Sequence, residues 1–208
     1  MAPQRKPLQE TRARRSPTQA RALLRRDQIL QTTAALLAEV GFDDLTTILI
    51  AKRLNISVGT LYHYFPNKIA ILYALAESWL DSVSKALEDM WTNLPQVRNV
   101  AEFNDYSVER LLSVYRQQKG MLSLVQAMWA VPELRELDDK HDELMISQLS
   151  KMFSQLGIQQ SKSELSRISR AYLEVVHSLS LVIVEQNGIR AKRTTGDLKA
   201  MTLTLISR

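Results

Sequence analysis

The chain has 208 residues, of which 45% are hydrophobic and 24% charged, and it contains only six glycines and six prolines. These proportions are typical of a globular protein of one or two domains, and the scarcity of helix-breaking residues favours a helical fold. The chain has no cysteine, which excludes disulfides, thiolate metal ligands and thiol nucleophiles. No apolar stretch approaches the roughly 20 residues that span a bilayer, and the basic N-terminus lacks an apolar segment behind it. We therefore expect a cytoplasmic protein without a membrane partner.

The net charge of +5 is unevenly distributed along the chain. Residues 1–26 carry eight basic side chains and one acidic side chain, so they contribute +7 and the other 182 residues contribute −2. Residues 1–20 are rich in Pro, Gln, Arg and Ser and lack apolar periodicity, which predicts a disordered basic arm. Such an arm is either a solvated tail or an electrostatic handle for a polyanion such as nucleic acid.

Helical periodicity begins near Asp27 and recurs to the end of the chain, without sustained β alternation. The first predicted helix stops at Gly41, a short second helix follows the N-cap Thr46, and a third follows the N-cap Ser57. The remaining helices are predicted over 68–91, 100–118, 120–130, 132–155, 162–187 and 195–207. The predicted fold class is therefore all-α, with about nine helices.

The second and third predicted helices are joined by a turn of three or four residues, which is the spacing of a helix-turn-helix. At 100° per residue, Leu61 and Phe65 share an inner stripe on the third helix, with Val58 close by. The outward positions are Gly59, Thr60 and His63, and Tyr62 and Tyr64 lie on the two shoulders of the stripe. The outward face has no carboxylate, and its glycine allows another surface to approach the backbone closely.

This arrangement has two interpretations. The helix N-termini at Thr46 and at Asn67–Lys68 are suited to phosphate groups, which favours a DNA-binding surface. A helical corner with aromatic packing and no nucleic-acid partner is the alternative, because fold does not dictate function.

The segment ILQTTAALLAEVGFDDLTTILIAKRLNISVGTLYHYFPNKIAIL, residues 29–72, resembles the N-terminal DNA-binding domain of the TetR family of transcriptional regulators. The resemblance is carried by residues at fixed spacings: Gly41-Phe42, Thr46-Thr47, Ile50-Ala51, Ile56 to Phe65, and Lys68. Two positions depart from the family pattern. Asn55 replaces a turn glycine, and Ile48 stands where relatives often carry a polar or basic residue. Val58 offers only shape or contact with a thymine methyl group.

The resemblance implies a domain organisation and a set of DNA contacts. Domains are expected at 1–20 for the arm, 21–67 for the helix-turn-helix and 68–208 for a helical effector-binding and dimerisation domain. The implied DNA-binding residues are Thr46, Thr47, Ser57, Val58, Gly59, Thr60, Tyr62, His63, Tyr64 and Lys68. Among these, Thr46, Tyr64 and Lys68 would hold phosphates, and Ser57 to Tyr64 would enter the major groove. Arg25 and Arg26 either reach the flanking minor groove or phosphates, or belong to a solvated tail.

The middle helices contain apolar, aromatic and sulfur-containing side chains that would line an effector pocket by the same resemblance. The candidate pocket residues are Phe103, Tyr106, Tyr115, Met121, Met128, Trp129, Met145 and His177. Each of them has an alternative as an ordinary core residue. The expected effector is a small apolar or amphipathic molecule.

The helix predicted over 162–187 is apolar on almost every side, which indicates burial on its own core and on a partner subunit. TetR-like proteins are generally dimers through their last two helices, so the resemblance implies a homodimer on a palindromic operator. The candidate interface residues are Leu173, Val176, Ser180, Leu181, Val184, Leu198, Met201 and Leu205.

Catalytic and metal chemistry have little support in the sequence. Glu174 and His177 have the i, i+3 spacing of carboxylate metal sites in helical bundles, but the chain lacks the second such motif. We find no nucleophile–histidine–acid pattern, phosphate-binding loop or paired-carboxylate signature. We therefore expect a ligand-responsive repressor without a cofactor, a metal or an enzymatic activity. The alternative hypothesis is an all-α enzyme or lipid carrier whose helical corner is structural.

Overall fold

The computed structural model describes residues 20–118 and 120–207, and within them it contains α-helices and one short 3-10 helix but no β-strand. The helices are α1 (Ala20–Asp44), α2 (Thr47–Arg53), α3 (Val58–Tyr64), α4 (Lys68–Asn93), the 3-10 helix (Leu94–Gln96), α5 (Val100–Gln117), α6 (Met121–Ala130), α7 (Pro132–Gln155), α8 (Lys162–Val184) and α9 (Gly188–Ile206). The all-α prediction is confirmed. The predicted basic arm, apart from Ala20, lies outside the described residues. No described helix is long and apolar enough to cross a bilayer.

The last helix begins earlier than the sequence pattern predicts, at Gly188 instead of residue 195. Gly188 has a left-handed φ of 58°. In the sequence, a glycine at this place indicates the end of the preceding helix. In the structure α8 has already ended at Val184, and Gly188 opens α9 after an extended Asn187. The first turn of α9 is exposed to solvent, so it carries no apolar periodicity that could reveal it.

The chain divides into two compact units. The first unit contains the described residues up to Ser78 together with 122–135, and the second contains the described residues of 79–121 together with 136–207. The helix α4 runs through both units as one continuous helix. The predicted domain boundary at 67–68 falls at the start of α4, whereas the compact units divide within α4, between Ser78 and Trp79.

The core of the first unit is built from the inner stripes of its short helices. Ile29 and Leu37 of α1, Ile50 of α2, and Leu61 and Phe65 of the α3 segment are fully buried. Burial of each such side chain stabilises the unit by about 1.5–3 kcal/mol.

Two backbone sites in the first unit have left-handed φ values. Gly41 has a φ of 76° and kinks the C-terminal turn of α1, and Asn55 has a φ of 52° in the turn between α2 and α3. Glycine and asparagine adopt this conformation at little cost, so both residues allow the chain to change direction and the helices to pack.

In the second unit α8 packs against α9, and α5 packs against both. Its centre is aromatic. The ring of Phe153 lies 6.0 Å from that of Phe103 and 5.4 Å from that of Tyr172, in edge-on geometry in both cases. The buried hydroxyl of Tyr172 is hydrogen-bonded to Ser107 Oγ at 2.5 Å, so the largest polar group of this core is satisfied.

Candidate DNA-binding surface and effector site

The turn between α2 and α3 is held by side-chain caps and backbone hydrogen bonds. Thr46 Oγ1 accepts from the Leu49 amide at 3.1 Å, and Ser57 Oγ accepts from the Thr60 amide at 3.0 Å. The Ile56 amide donates to the Ala51 carbonyl at 3.0 Å. Both predicted N-caps are confirmed: each satisfies an amide in the first turn of its own helix, and the hydrogen bond from Ile56 to Ala51 closes the turn between the helices.

The outer face of α3 is open and sparsely covered by side chains. Gly59, Thr60, Tyr62 and His63 are exposed, and Tyr64 is half-buried. A β-carbon added at Gly59 would meet Ser57 Oγ at 3.7 Å, an ordinary van der Waals contact, and nothing closer. The first unit itself therefore does not require glycine at position 59.

Hydrogen bonds and ring contacts fix the side chains around this face. The Tyr62 hydroxyl is hydrogen-bonded to Thr47 Oγ1 at 3.2 Å, across the two helices. The rings of His63 and Tyr64 lie edge-on at 5.5 Å. Polar groups on a surface of this kind are positioned before any ligand arrives, which lowers the ordering cost of binding.

Lys68 is half-buried and contacts the kink of α1. Its Nζ donates to the Phe42 carbonyl at 3.1 Å and lies 4.4 Å from the centroid of the Phe42 ring. At the same helix N-terminus, Asn67 Oδ1 accepts from the Ala70 amide at 2.8 Å, as the predicted cap requires. The predicted phosphate contact of Lys68 stays a prediction, and two other donors of its ammonium group could make it.

The two arginines that precede the first apolar turn are part of α1 and are half-buried. The guanidinium carbon of Arg26 lies 5.6 Å from the centroid of the Phe65 ring, so this side chain packs on the α3 segment. A fully solvated tail therefore does not describe Arg26.

The helix-turn-helix segment itself contains basic side chains and no acidic ones. Residues 45–76 contain no Asp or Glu and include Lys52, Arg53 and Lys68. Arg53 is paired with Glu39 of α1 by hydrogen bonds of 3.0 and 2.7 Å, and this pairing holds the pKa of Glu39 below its ordinary value. Ile48, the residue that departs from the family pattern, is 67% exposed on α2.

The predicted effector residues are distributed over both units. Met128 is buried and Trp129 is 56% exposed in the 122–135 segment of the first unit. The other six belong to the second unit: Phe103, Tyr115, Met121 and Met145 are buried, and Tyr106 and His177 are half-buried. The Tyr106 hydroxyl accepts from Asn93 Nδ2 at 3.1 Å, and Phe103 belongs to the aromatic core described above.

Three side chains of the second unit form what we call the ring cluster: Trp79, Tyr115 and His177. The Tyr115 hydroxyl and His177 Nδ1 are hydrogen-bonded at 2.7 Å, and the Trp79 ring lies 5.8 Å from Tyr115 and 6.0 Å from His177. Burial lowers the pKa of His177 and raises that of Tyr115, so both groups are held neutral. Trp79 is missing from the sequence prediction, although it lies one helical turn before Val83 on the apolar stripe of α4.

Three carboxylates act electrostatically on the Tyr115 hydroxyl, and we call them the acidic cluster: Asp138 and Asp142 of α7 and Glu174 of α8. Burial, and then neighbouring carboxylates, raise the pKa of Asp138 to about 6 and that of Asp142 to about 7. Arg170 is the cation that opposes this effect at Asp142. Within residues 20–118 and 120–207, no group of three or more His, Asp or Glu side chains has a geometry that could hold a metal ion.

The predicted interface residues differ in their exposure. Leu173, Val176, Ser180, Leu181 and Leu198 are buried within the chain itself, Val184 and Leu205 are half-buried, and Met201 is 50% exposed. The exposed apolar side chain of α8 that the sequence prediction omits is Val182, at 45%. A helix that is apolar on all sides does not show from its sequence which side faces its own core.

Comparison with known proteins gives two family matches. The family model described as "Bacterial regulatory proteins, tetR family" matches residues 29–75, and that described as "Tetracyclin repressor-like, C-terminal domain" matches residues 100–205. The Escherichia coli protein named Tetracycline repressor protein class C is 44% identical over 57 residues, which are 27% of this chain and 26% of that repressor. The HTH-type transcriptional regulator BetI of Pectobacterium atrosepticum is 27% identical over 135 residues, 63% of this chain and 69% of the relative.

Solved structures share the fold along most of the chain. A transcriptional regulator from Aquifex aeolicus has a TM-score of 0.65 at 19% identity, covering 87% of this chain and 98% of its own. The structure of AibR in complex with isovaleryl coenzyme A and operator DNA has a TM-score of 0.65 at 16% identity, covering 86% and 98%. Because one family model matches the helix-turn-helix segment and the other matches about half of the chain, the chain belongs to the TetR family of transcriptional regulators.

Proposed function

We propose that this protein is a dimeric repressor that binds a palindromic operator through α3 and is released from it by a small-molecule effector bound in the second unit. The observation that carries the DNA-binding part is the outer face of α3. It is exposed, free of acidic groups and fixed by two N-caps, and it contains a glycine that the fold does not require. A bare backbone on a rigid helix allows close approach to base edges in the major groove.

The proposed DNA contacts follow from these positions. Thr60 and His63 are exposed and can reach base edges, while the phosphates would be held by Thr46, Tyr64 and Lys68. Thr47 and Tyr62 are linked by a hydrogen bond and would act as one unit on the flanking backbone. Ser57, Val58 and Gly59 form the first turn of α3 and would lie closest to the groove floor. Arg25 and Arg26 would extend the positive surface along α1.

The proposed dimer uses the outer sides of α8 and α9. Val182 and Met201 are large apolar side chains exposed on these helices, and Val184 and Leu205 are half-buried there. Apolar side chains in such positions are typical of a surface that a second copy covers. The five predicted interface residues that are buried would pack beneath this surface and would not contact the partner subunit.

The proposed release mechanism is a population shift. An effector that binds more tightly to a dimer geometry unable to bind the operator raises the population of that geometry. The size of this shift is set by the difference in the effector's affinity for the two geometries. The continuity of α4 supports this proposal, because one helix carries both Lys68 of the first unit and Trp79 of the second.

The test is a gel-shift assay with a palindrome found upstream of the protein's own gene. The wild-type protein should shift this duplex selectively over a scrambled duplex of equal length, with an affinity that falls steeply with salt. Substitution His63→Ala should weaken selective binding, whereas Gln28→Ala on an exposed position of α1 should leave it unchanged. Absence of selective binding by the wild type, together with turnover or transport of a small molecule, would favour the enzyme or lipid-carrier hypothesis.

A further inference from the structure

The acidic cluster faces little opposing positive charge among the residues that the structure describes. Asp138 and Asp142 stand one helical turn apart on the same face of α7, both half-buried, and Glu174 on α8 acts on both of them. The opposing cation is Arg170, and its side chain is exposed to solvent. Glu174 is exposed to solvent like Arg170, so the negative charge that is partly removed from water is that of Asp138 and Asp142. Among the described residues one solvated guanidinium opposes it, which leaves an excess of negative charge near Tyr115. Such an excess is unfavourable in a partly dehydrated place unless a further positive charge joins it.

The ring cluster contributes a second, independent sign of a ligand. Trp79 is 3% exposed, and its indole Nε1 has no hydrogen-bond partner among the described residues. A buried indole N–H without an acceptor costs about 1–3 kcal/mol, so a bound molecule that supplies an acceptor stabilises this site. The indole ring lies against Tyr115, the residue on which all three carboxylates act.

The combination of aromatic rings with carboxylates selects one class of ligand. An inorganic ion is disfavoured, since the described residues offer no metal-binding geometry. Faces of Trp and Tyr attract organic cations. Because such cations are weakly hydrated, their transfer out of water costs less free energy than the transfer of a compact ion. We propose that the second unit binds a small organic cation between the ring cluster and the acidic cluster, with a hydrogen-bond acceptor of the ligand at Trp79 Nε1. This inference rests on the proposed function in one respect, that an effector of the repressor binds in the second unit.

The experiment uses two probes of nearly identical shape, of which one is charged. The cation is 2-phenoxyethyl(trimethyl)ammonium, and its neutral counterpart is 3,3-dimethylbutyl phenyl ether, in which carbon replaces the ammonium nitrogen. Binding of each to the full-length protein is measured by isothermal titration calorimetry at pH 8. The cation should bind about tenfold or more tightly than the ether, as cation–π and carboxylate attraction together imply. Equal affinities, or no binding of either probe, would overturn the proposal.

A pair of matched variants tests whether the carboxylates of the acidic cluster attract the cation. Asp142→Asn should weaken binding of the cation and leave that of the ether unchanged. Glu143→Gln makes the same change of charge at the next, exposed position of α7 and should affect neither probe. An equal loss in both variants would show a general surface effect and would contradict a site at the acidic cluster. A Trp79→Phe variant retains a ring but loses the N–H. It should bind the phenoxy cation more weakly while binding 3-phenylpropyl(trimethyl)ammonium, which lacks the ether oxygen, as the wild type does.

The site should also exchange protons for the cation. Because Asp138 and Asp142 are partly protonated near neutral pH, binding of the cation should release protons and should weaken as the pH falls from 8 to 5.5. The other titratable and charged groups that act here are Tyr115 of α5, Asp139 of α7, and Arg170, Glu174 and His177 of α8. Titrations in two buffers of different ionisation enthalpy measure the released protons, and a pH-independent affinity would contradict the assignment.

The inference and the proposed function fail in different ways. Selective operator binding without binding of the cation would overturn only the inference. Binding of the cation by a protein that does not recognise the operator would overturn the proposed function and retain the cation site.

Discussion

The ammonium group of Lys68 is engaged within the first unit, where it contacts both the carbonyl and the ring of Phe42. Replacement Lys68→Met keeps an apolar stem of similar length but removes the hydrogen bond and the cation–π interaction. We expect the variant to lose about 1 kcal/mol in the free energy of unfolding, measured by urea denaturation. If Lys68 also holds a phosphate, the slope of log K against log salt should become shallower by about 0.9, the value for one phosphate.

Lys52→Met is the control for this prediction, because Lys52 is an exposed lysine on α2. It should leave the stability of the unit unchanged. A Lys68→Met variant as stable as the wild type would contradict the interaction with Phe42, and an unaltered salt slope would contradict the phosphate role.

Asp142 makes the stability of the protein depend on pH in a definite direction. Burial, and then Asp138, raise its pKa to about 7 from an ordinary 3.8, so the folded protein binds this proton more tightly than the unfolded chain does. The contribution to stability is fully present below about pH 4 and is lost as the pH rises through 7. Asp142→Asn should therefore stabilise the protein at pH 8, by on the order of 1 kcal/mol after allowance for its partial exposure to solvent.

The gain from Asp142→Asn should shrink towards pH 4, and urea midpoints at the two pH values measure the difference. His141 and His177 have lowered pKa values, so their contribution to stability is lost as the pH falls below the ordinary 6.5. Comparison of the variant with the wild type at each pH cancels this opposite trend. A gain that is the same at pH 8 and pH 4 would contradict the burial of this carboxyl group.

Among the helices, the helix-turn-helix segment is the element that the sequence predicts most completely. Its signals are local: Thr46 and Ser57 cap the helix that directly follows each of them, and Asn55 takes the left-handed turn between. The start of α9 escapes prediction because its first turn is exposed, lacks an apolar stripe and is entered through a glycine. Local chemistry thus determines caps and turns, but it does not reveal an exposed helix end.

The ring cluster could not be predicted from the sequence, since its members are distant in the chain. Tyr115 and His177 are 62 positions apart, and Trp79 is on a third helix. Their meeting depends on the packing of whole helices. Similarly, the sequence of α8 shows that the helix is apolar but not that Leu173 and Leu181 face inward while Val182 faces outward.

Substitution of glycine by alanine should change the stability of the first unit in opposite directions at two positions. Gly41 has open space around it but a φ of 76°, so Gly41→Ala should destabilise the unit by about 1–2 kcal/mol through backbone strain alone. Gly59 is helical, so Gly59→Ala should be neutral or should stabilise by up to about 1 kcal/mol. Thermal unfolding of both variants measures the two effects, and a shift of the same sign in both would contradict the assigned backbone conformations.

For the whole molecule, the proposed dimer depends on the exposed apolar side chains of α8 and α9. Val182→Glu places a charge on that surface and should convert the dimer to a monomer, as measured by sedimentation velocity. Leu144→Glu makes the corresponding change at a large exposed side chain on α7 and should leave the dimer intact. A Val182→Glu variant that remains dimeric would place the interface elsewhere. A monomeric Val182→Glu variant should also bind a palindrome more weakly, because the two half-sites would no longer be joined.

The central claim, that the outer face of α3 contacts bases, is tested most directly by Gly59→Ala on the operator. The added methyl group meets nothing closer than 3.7 Å in the protein, so any loss of binding arises at the DNA. Affinities of the wild type and the variant for the palindrome and for a scrambled duplex are measured by fluorescence anisotropy at fixed salt. We expect a protein at least as stable as the wild type whose operator affinity is lower by about tenfold or more, with non-selective binding unchanged. Equal affinity of the two proteins for the operator would contradict the claim.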